Sequence, residues 1–281
     1  MIQPIKVSSS LSHVPLLVFP QRKNVTGDPP QSAQATGFLW LQDKTYYLIT
    51  NWHNVTGWDL VNQRAVTDSA LTRDSLAFRL VVLKERRDGV SFAEGKYPII
   101  DLYGSDGRPA WLEHPTHGPK VDVVAIKIGE VDDDWTMFSV PINNISDLMD
   151  FEVIAGDEAF VLGYPLGLHG GARFPIWKRA SIASEPAIDL DGLPKILIDT
   201  ATRRGMSGSP VIAVRRGLVN PRGVVGMTNE TVIGMGETFL GVYSGRVDDD
   251  PLGAQIGIVW KGTVVEEIVK HGVPGTTPFD G

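Results

Sequence analysis

Apolar residues in this chain come in short runs, about five to eight residues each, rich in Val, Ile, Leu, Phe, Tyr and Trp and separated by Gly, Pro, Asp or Asn. Branched and aromatic side chains suit a pleated surface, and the intervening residues supply the turns. The expected strands are Val14 to Phe19, Gly37 to Leu41, Tyr46 to Thr50, Leu76 to Leu83, Tyr97 to Tyr103, Val121 to Ile128, Ala159 to Leu162, Phe174 to Ser181, Lys195 to Ile198, Pro210 to Val214, Gly223 to Thr228, Thr238 to Tyr243 and Gln255 to Val259. So many short strands predict an all-β fold of barrels or a sandwich, and a length of 281 residues suits a pair of small barrels.

Two local units are sharper than the rest. Gly37 to Thr50 reads as a hairpin around Gln42-Asp43-Lys44, with a second strand that runs directly into His53. At the far end, Val264, Val265, Ile268 and Val269 share one helical face, which predicts a helix over about 263–271. Thr263 is its expected N-cap, Glu266 takes the capping-box position and Gly272 is the stop. The irregular stretch 136–152 follows the acidic run Asp132-Asp133-Asp134 and suggests a boundary, with one barrel in residues 1–145 and a second in 146–281.

Composition narrows the chemistry. With 26 Lys+Arg against 33 Asp+Glu the net charge is −7, which offers no broad positive footprint for nucleic acid or an anionic membrane. Cysteine is absent, so disulfides, Cys-based zinc sites and a catalytic thiol are excluded, and a covalent nucleophile must be Ser, Thr, Lys or a carboxylate. The amino-terminal twenty residues lack the basic-then-apolar layout of a signal peptide, and no apolar run approaches the roughly 20 residues of a spanning helix. A cytoplasmic location is the expectation.

The most informative stretch is Asp199 to Val211, which contains Gly205-Met-Ser-Gly-Ser-Pro210. Acyl transfer needs a serine on a tight turn whose backbone N–H groups converge on the substrate oxygen, and glycine at 205 and 208 permits both the turn and close approach. Ser207 is therefore the candidate nucleophile, with the amides of Gly205 and Ser207 as the oxyanion hole. Taken alone, the same residues also spell an ordinary Gly-Ser-Pro turn. A serine nucleophile needs a base, and among six histidines His53 stands out because a strong strand ends on it. A carboxylate should orient the imidazole, and Asp122, ahead of the apolar run Val123 to Ile128, is a charge that needs a specific partner.

Together Thr50-Asn-Trp-His-Asn-Val55, Val121-Asp-Val-Val-Ala-Ile-Lys-Ile128 and Gly205-Met-Ser-Gly-Ser-Pro-Val211 resemble the histidine, aspartate and serine motifs of chymotrypsin-fold serine peptidases, in that family's order. The bacterial trypsin-like kind, HtrA and glutamyl endopeptidases, is the most similar. The resemblance spans roughly residues 14 to 270. It implies two packed six-stranded-type antiparallel barrels with a short C-terminal helix, and a serine endopeptidase that works through an acyl-enzyme on peptide or protein substrates without a cofactor. An α/β-hydrolase is rejected, because residue 209 is Ser rather than Gly and the motif order differs. A chymotrypsin-fold module that grips peptides without cutting them is the alternative reading.

The departures from the family carry information. Met206 occupies the position at which zymogen-activated trypsins pair an aspartate with a new amino terminus, so that activation route is not expected. Too few residues follow Ser207 for both a completed barrel and a PDZ domain, which leaves a protein regulator or a homo-oligomer to use another surface. Gly163-Tyr-Pro-Leu-Gly167 is similar to a turn of bacterial members and reads equally as a plain Pro-Gly turn. His114 and His117 flank Pro115 without a second ligand cluster, so no metal is expected there, and Asp248 to Asp250 lacks the spacing of a calcium loop. By the family's pattern Ala201 forms the floor of the primary specificity pocket, with Thr202 and Arg204 beside it and Tyr243, Ser244 and Gly245 on one wall. Without a carboxylate at Ala201 the expected residue before the scissile bond is aliphatic, with acidic second and basic third.

Overall fold

The structure is a computed structural model that describes residues 9–22, 34–66, 73–85, 91–130, 139–247 and 254–278. In the first half β1 (Pro15–Gln21), β2 (Ala35–Gln42) and β3 (Thr45–Thr50) lead into a one-turn helix, α1 (Trp52–Thr56). Two short hairpins follow, β4 (Trp58–Asp59) with β5 (Arg64–Ala65), and, after β6 (Ser75–Phe78), β7 (Leu80–Glu85) with β8 (Ser91–Lys96). Then come β9 (Ile99–Asp101), β10 (Trp111–Glu113) and β11 (Val124–Gly129). The second half contains β12 (Glu158–Gly163), β13 (Ile176–Ile182), β14 (Lys195–Asp199), β15 (Pro210–Val219), β16 (Val232–Arg246) and β17 (Ile256–Lys261), then α2 (Gly262–His271) and β18 (Val273–Pro274).

β12 to β17 close into a six-stranded antiparallel barrel in the order β12-β13-β14-β17-β16-β15. The first half curls as an eight-stranded sheet, β18-β10-β11-β3-β2-β1-β6-β9, so the last strand of the chain returns to pair with β10. The two curled sheets form a chymotrypsin-like double barrel. Among the described residues no helix is long and apolar enough to cross a membrane.

Alternation along the strands builds three cores at once. Leu39, Leu48, Val124 and Ile126 fill the first barrel, while their chain neighbours Phe38, Ile49 and Ala125 face the seam. Val161, Val211 and Val259 fill the second barrel, and the neighbouring Leu162, Ile212 and Trp260 meet the first barrel's seam residues. α2 covers that seam with Val264, Val265, Ile268 and Val269, each burial contributing on the order of 1.5–3 kcal/mol.

Most expected strands are present, and the differences have local causes. Asp43 and Lys44 both take positive φ (48° and 65°), the geometry of a two-residue hairpin turn that matches strand twist. The expected strand Leu76 to Leu83 divides at Arg79, whose N–H bonds Leu17 O instead. Tyr97 to Tyr103 contracts to β9. Gly223 to Thr228 is not a strand: Gly223 and Gly226 adopt positive φ, Val225 is 94% exposed, and β15 pairs instead with a β16 that begins at Val232. The terminal helix is capped two residues ahead of expectation: Lys261 rather than Thr263 is the N-cap, and it makes no side-chain capping bond. Glu266 pairs with Lys270 at 3.1 Å.

Candidate active site

His53 lies on α1, the second residue of a helix, rather than at a strand end. β3 stops at Thr50, Asn51 remains extended and Gly57 ends the turn with φ 74°. Trp52 and Val55 anchor the turn in the first core, which leaves the His53 ring at the surface of the barrel. Asp122 sits two residues ahead of β11, in a tight turn closed by Val123 N–H on Val121 O at 2.8 Å.

The two side chains meet in a two-point contact. His53 Nδ1 is 2.7 Å from Asp122 Oδ2, and the His53 backbone N–H donates to Asp122 Oδ1 at 2.9 Å. Asn51 Nδ2 donates to the Asp122 carbonyl at 2.6 Å, and Ser244 Oγ donates to Asp122 Oδ2 at 2.5 Å. Three donors converge on one carboxylate and orient the imidazole with Nδ1–H toward it and Nε2 outward. Among the described residues nothing hydrogen-bonds His53 Nε2.

Ser207 arrives from the second barrel on the loop between β14 and β15. The loop is pinned by Thr36 of β2: its N–H donates to Ser207 O at 2.9 Å and its Oγ1 to Gly205 O at 2.8 Å. Asn54 Nδ2, from the residue next to His53, adds a 3.3 Å bond to Ser207 O. Gly205 and Gly208 have φ 94° and 85°, and a Cβ on them would fall 2.4 Å from Tyr164 O and 2.0 Å from Thr36 O. No other residue fits either place.

The Gly163-Tyr-Pro turn lies directly under this loop. A Cβ on Gly163 would meet Ser209 Oγ at 2.1 Å, and Leu166 N–H donates to Arg204 O at 2.6 Å. The N–H of a trans peptide points opposite to its carbonyl, so that bond turns the Gly205 N–H away from the 164–167 turn. Among the described residues the amides of Gly205 and Ser207 have no hydrogen-bond partner. Met206 is fully buried in the second core.

Ser207 Oγ donates to the carbonyl of Ser244 at 3.0 Å rather than to His53. Ala201 is half-buried and Arg203 and Arg204 are exposed, whereas Thr202 and Tyr243 are buried and joined by a hydrogen bond between their hydroxyls. Ser244, Gly245 and Arg246 are half-buried. The remaining sequence candidates lie elsewhere. His114 accepts from Thr116 N–H and His117 N–H through Nδ1 and faces Glu267 with Nε2. Asp132 to Asp134 and Asp248 to Asp250 lie outside the described residues.

Several supporting residues escaped the sequence reading. Arg73, its pKa pushed down to about 10 by burial, donates through Nη1 to the carbonyls of His53 and Asn54 and so ties off the end of α1. Asp59 is opposed by burial, yet hydrogen bonds from Asn62 and the charge of His53 leave its carboxyl below the usual range. Glu113 is fully buried and collects Trp52 Nε1, Trp111 Nε1 and Thr276 N–H on Oε1, which fastens the end of the chain behind α1. The Arg73 contacts with His53 and Asn54 and the Glu113 contacts with Trp52 and Thr276 join residues 19 or more apart in sequence, and only the Asn54 neighbour of His53 carried a local signal.

The chain matches the family profile of the trypsin-like peptidase domain over residues 35–227. No curated protein sequence matches it. Among solved structures it is similar to human heparin binding protein, at 12% identity with 99% of this chain and 100% of that chain covered and a TM-score of 0.48. It is also similar to a mutant of tobacco etch virus protease, at 10% identity, 99% and 88% coverage and a TM-score of 0.47.

Proposed function

The chain belongs to the trypsin-like peptidase domain family, and from that premise we propose that it is a serine endopeptidase with Ser207 as nucleophile, His53 as base and Asp122 as its orienting carboxylate. The observation that carries the reading is the two-point hold of His53 by Asp122, which fixes the ring with Nε2 free for a proton. Peptide or protein substrates follow from the family.

A substrate strand pairs with the open edge at Ser244 and donates its N–H to Ser244 O, displacing the Ser207 hydroxyl toward His53 Nε2. Ser207 Oγ then attacks the scissile carbonyl carbon while His53 Nε2 takes its proton, and the oxyanion receives the N–H groups of Gly205 and Ser207. His53 passes the proton to the leaving amine as the C–N bond breaks. A water, deprotonated by the same nitrogen, attacks the acyl-enzyme, and the proton returns to Ser207 as the acid product departs.

One observation favours a second reading, a peptide-gripping module that does not cut: the Ser207 hydroxyl is engaged by Ser244 O rather than by His53. A fluorophosphonate probe with intact-mass measurement separates the two. A single adduct on Ser207, absent from Ser207→Ala, is expected of the peptidase, and an unlabelled wild-type chain would leave the binding module.

A further inference from the structure

The strand beside Ser207 changes character at Tyr243. β15 pairs with β16 as far as Pro210 opposite Val242, Tyr243 still exchanges backbone bonds with Gly208 and Ser209, and beyond it Gly245 and Arg246 pair with β17 alone, with Ser244 in the bulge between. Their other edge is open toward the nucleophile, since Ser207 Oγ reaches Ser244 O. Among the described residues a Cβ built on Gly245 meets nothing within 4 Å, so the edge is open at that residue. A residue whose carbonyl sits at Ser207 Oγ has its side chain over this edge, between Ser244 to Arg246 and the facing segment Ala201 to Arg203.

Depth in that space is taken up by the protein itself. Tyr243 is 2% exposed and belongs to the second-barrel core, and its Cε2 lies only 2.7 Å from where a Cβ on Gly257 would stand, so the ring packs against β17 at that glycine. Its hydroxyl spans to Thr202 Oγ1 on the opposite segment, and Thr202 is itself 2% exposed. The two hydroxyls satisfy each other, so neither can move aside without leaving a buried polar atom unpaired. Burial pushes the Tyr243 phenol up to about 12, which keeps it a neutral hydrogen-bonding group at ordinary pH.

We propose that Tyr243, locked to Thr202, is the specificity-determining residue of the site: it closes the primary pocket and restricts the residue before the scissile bond to Gly, Ala or Ser. The inference rests on the peptidase reading and goes beyond it. A side chain of one or two heavy atoms fits above the ring, whereas Leu, Phe, Lys or Arg must displace a buried, hydrogen-bonded tyrosine. The Tyr243 ring and its satisfied hydroxyl pair offer no negative counter-charge to Lys or Arg, and the charge of Arg246, which acts on the Tyr243 phenol, adds repulsion.

The test uses the full chain and a peptide library randomised before the scissile bond, read by mass spectrometry, with wild type, Tyr243→Phe and Tyr243→Val in parallel. Wild type should cut after Gly, Ala and Ser. Tyr243→Phe keeps the ring and should keep that order, while Tyr243→Val should raise the Leu-to-Ala ratio of kcat/KM by roughly 10-fold or more. If Tyr243→Val does not fold by circular dichroism, Tyr243→Leu is expected to shift the ratio in the same direction. Wild-type cleavage dominated by Leu, Phe, Lys, Arg, Asp or Glu, or an unchanged ratio in the folded variant, overturns the inference. Fluorophosphonate labelling of the same samples separates the two levels: labelled chains with unshifted profiles refute the pocket assignment alone. If no chain labels, the peptidase reading falls, and the pocket is read instead by calorimetry of peptide acids ending in Ala or Leu on Ser207→Ala. Ala should then bind more tightly, with the order reversed by adding Tyr243→Val, and equal binding in both chains refutes it.

Discussion

Ser244 contacts both Ser207 and Asp122: its carbonyl accepts from Ser207 Oγ at 3.0 Å and its own Oγ donates to Asp122 Oδ2 at 2.5 Å. The hydroxyl is one of three donors on that carboxylate, beside the two of His53. Ser244→Ala keeps the carbonyl and removes the donor. A hydrogen bond to a charged group contributes about 1.5–3 kcal/mol, so kcat/KM should fall by roughly 10- to 100-fold with little change in melting temperature. Wild-type kinetics in this variant would show that Ser244 has no part in holding Asp122.

Gly205→Ala and Gly208→Ala test whether the Ser207 loop tolerates any side chain. Both positions need positive φ, and the new methyl would sit 2.4 Å from Tyr164 O or 2.0 Å from Thr36 O. Backbone strain costs about 1–3 kcal/mol at each site, and the collision adds to it. Each variant should melt at a clearly lower temperature, and probe labelling of Ser207 should be lost. Labelling at the wild-type rate by either would mean that the loop has room that the structure denies it.

What was legible in the sequence is what is local. The β2–β3 turn is readable because Asp43 and Lys44 carry its whole geometry, and α2 because one face repeats at helical spacing. The His53, Asp122 and Ser207 motifs are short strings whose order identifies a family. Thr36, which pins the Ser207 loop at Gly205 from 169 residues away, has no local mark, and neither does Arg73 behind His53. The apolar run Gly223 to Thr228 misled because two glycines in left-handed conformations bend it off the sheet, and the partner of β15 is chosen by the seam and barrel faces of β16. Arg79 likewise breaks a continuous apolar run because its N–H is drawn to Leu17 O.

Alkaline titration should single out two of the six tyrosines in the chain. Burial pushes the hydroxyls of Tyr164 and Tyr243 up to about 12, with the neighbouring Arg79 partly opposing this at Tyr164 and the Thr202 bond and Arg246 at Tyr243. A folded-state value raised above the unfolded one, about 10, means that their stabilising contribution is complete below pH 10 and lost as pH rises toward 12. Tyrosinate absorbance should show two groups ionising only together with loss of the native fold. Tyr243→Phe should remove one of them, and six tyrosines titrating smoothly before unfolding would contradict the burial of this pair.

His114 gives the acid side a specific weak point. Its Nδ1 accepts Thr116 N–H at 3.2 Å and His117 N–H at 3.1 Å, and Nε2 lies 2.8 Å from Glu267 Oε2 on α2. Burial pushes its pKa below the ordinary 6.5; Glu267 pulls it up and the neighbouring His117 pushes it down, with the net shift downward. A depressed folded-state value means that the contribution to stability is present above the unfolded pKa and lost as pH falls through the folded one. The added proton must go to Nδ1, where it faces two N–H donors, so the turn from His114 to Val121 that delivers Asp122 loosens. The melting temperature should therefore fall as pH is lowered from 7 to 5. In His114→Asn, whose amide oxygen replaces Nδ1 as acceptor without titrating, it should fall less steeply, while the carboxylates common to both chains, Asp59 among them, contribute equally. Parallel melting curves for the two proteins across that range would remove His114 as the source of the acid sensitivity.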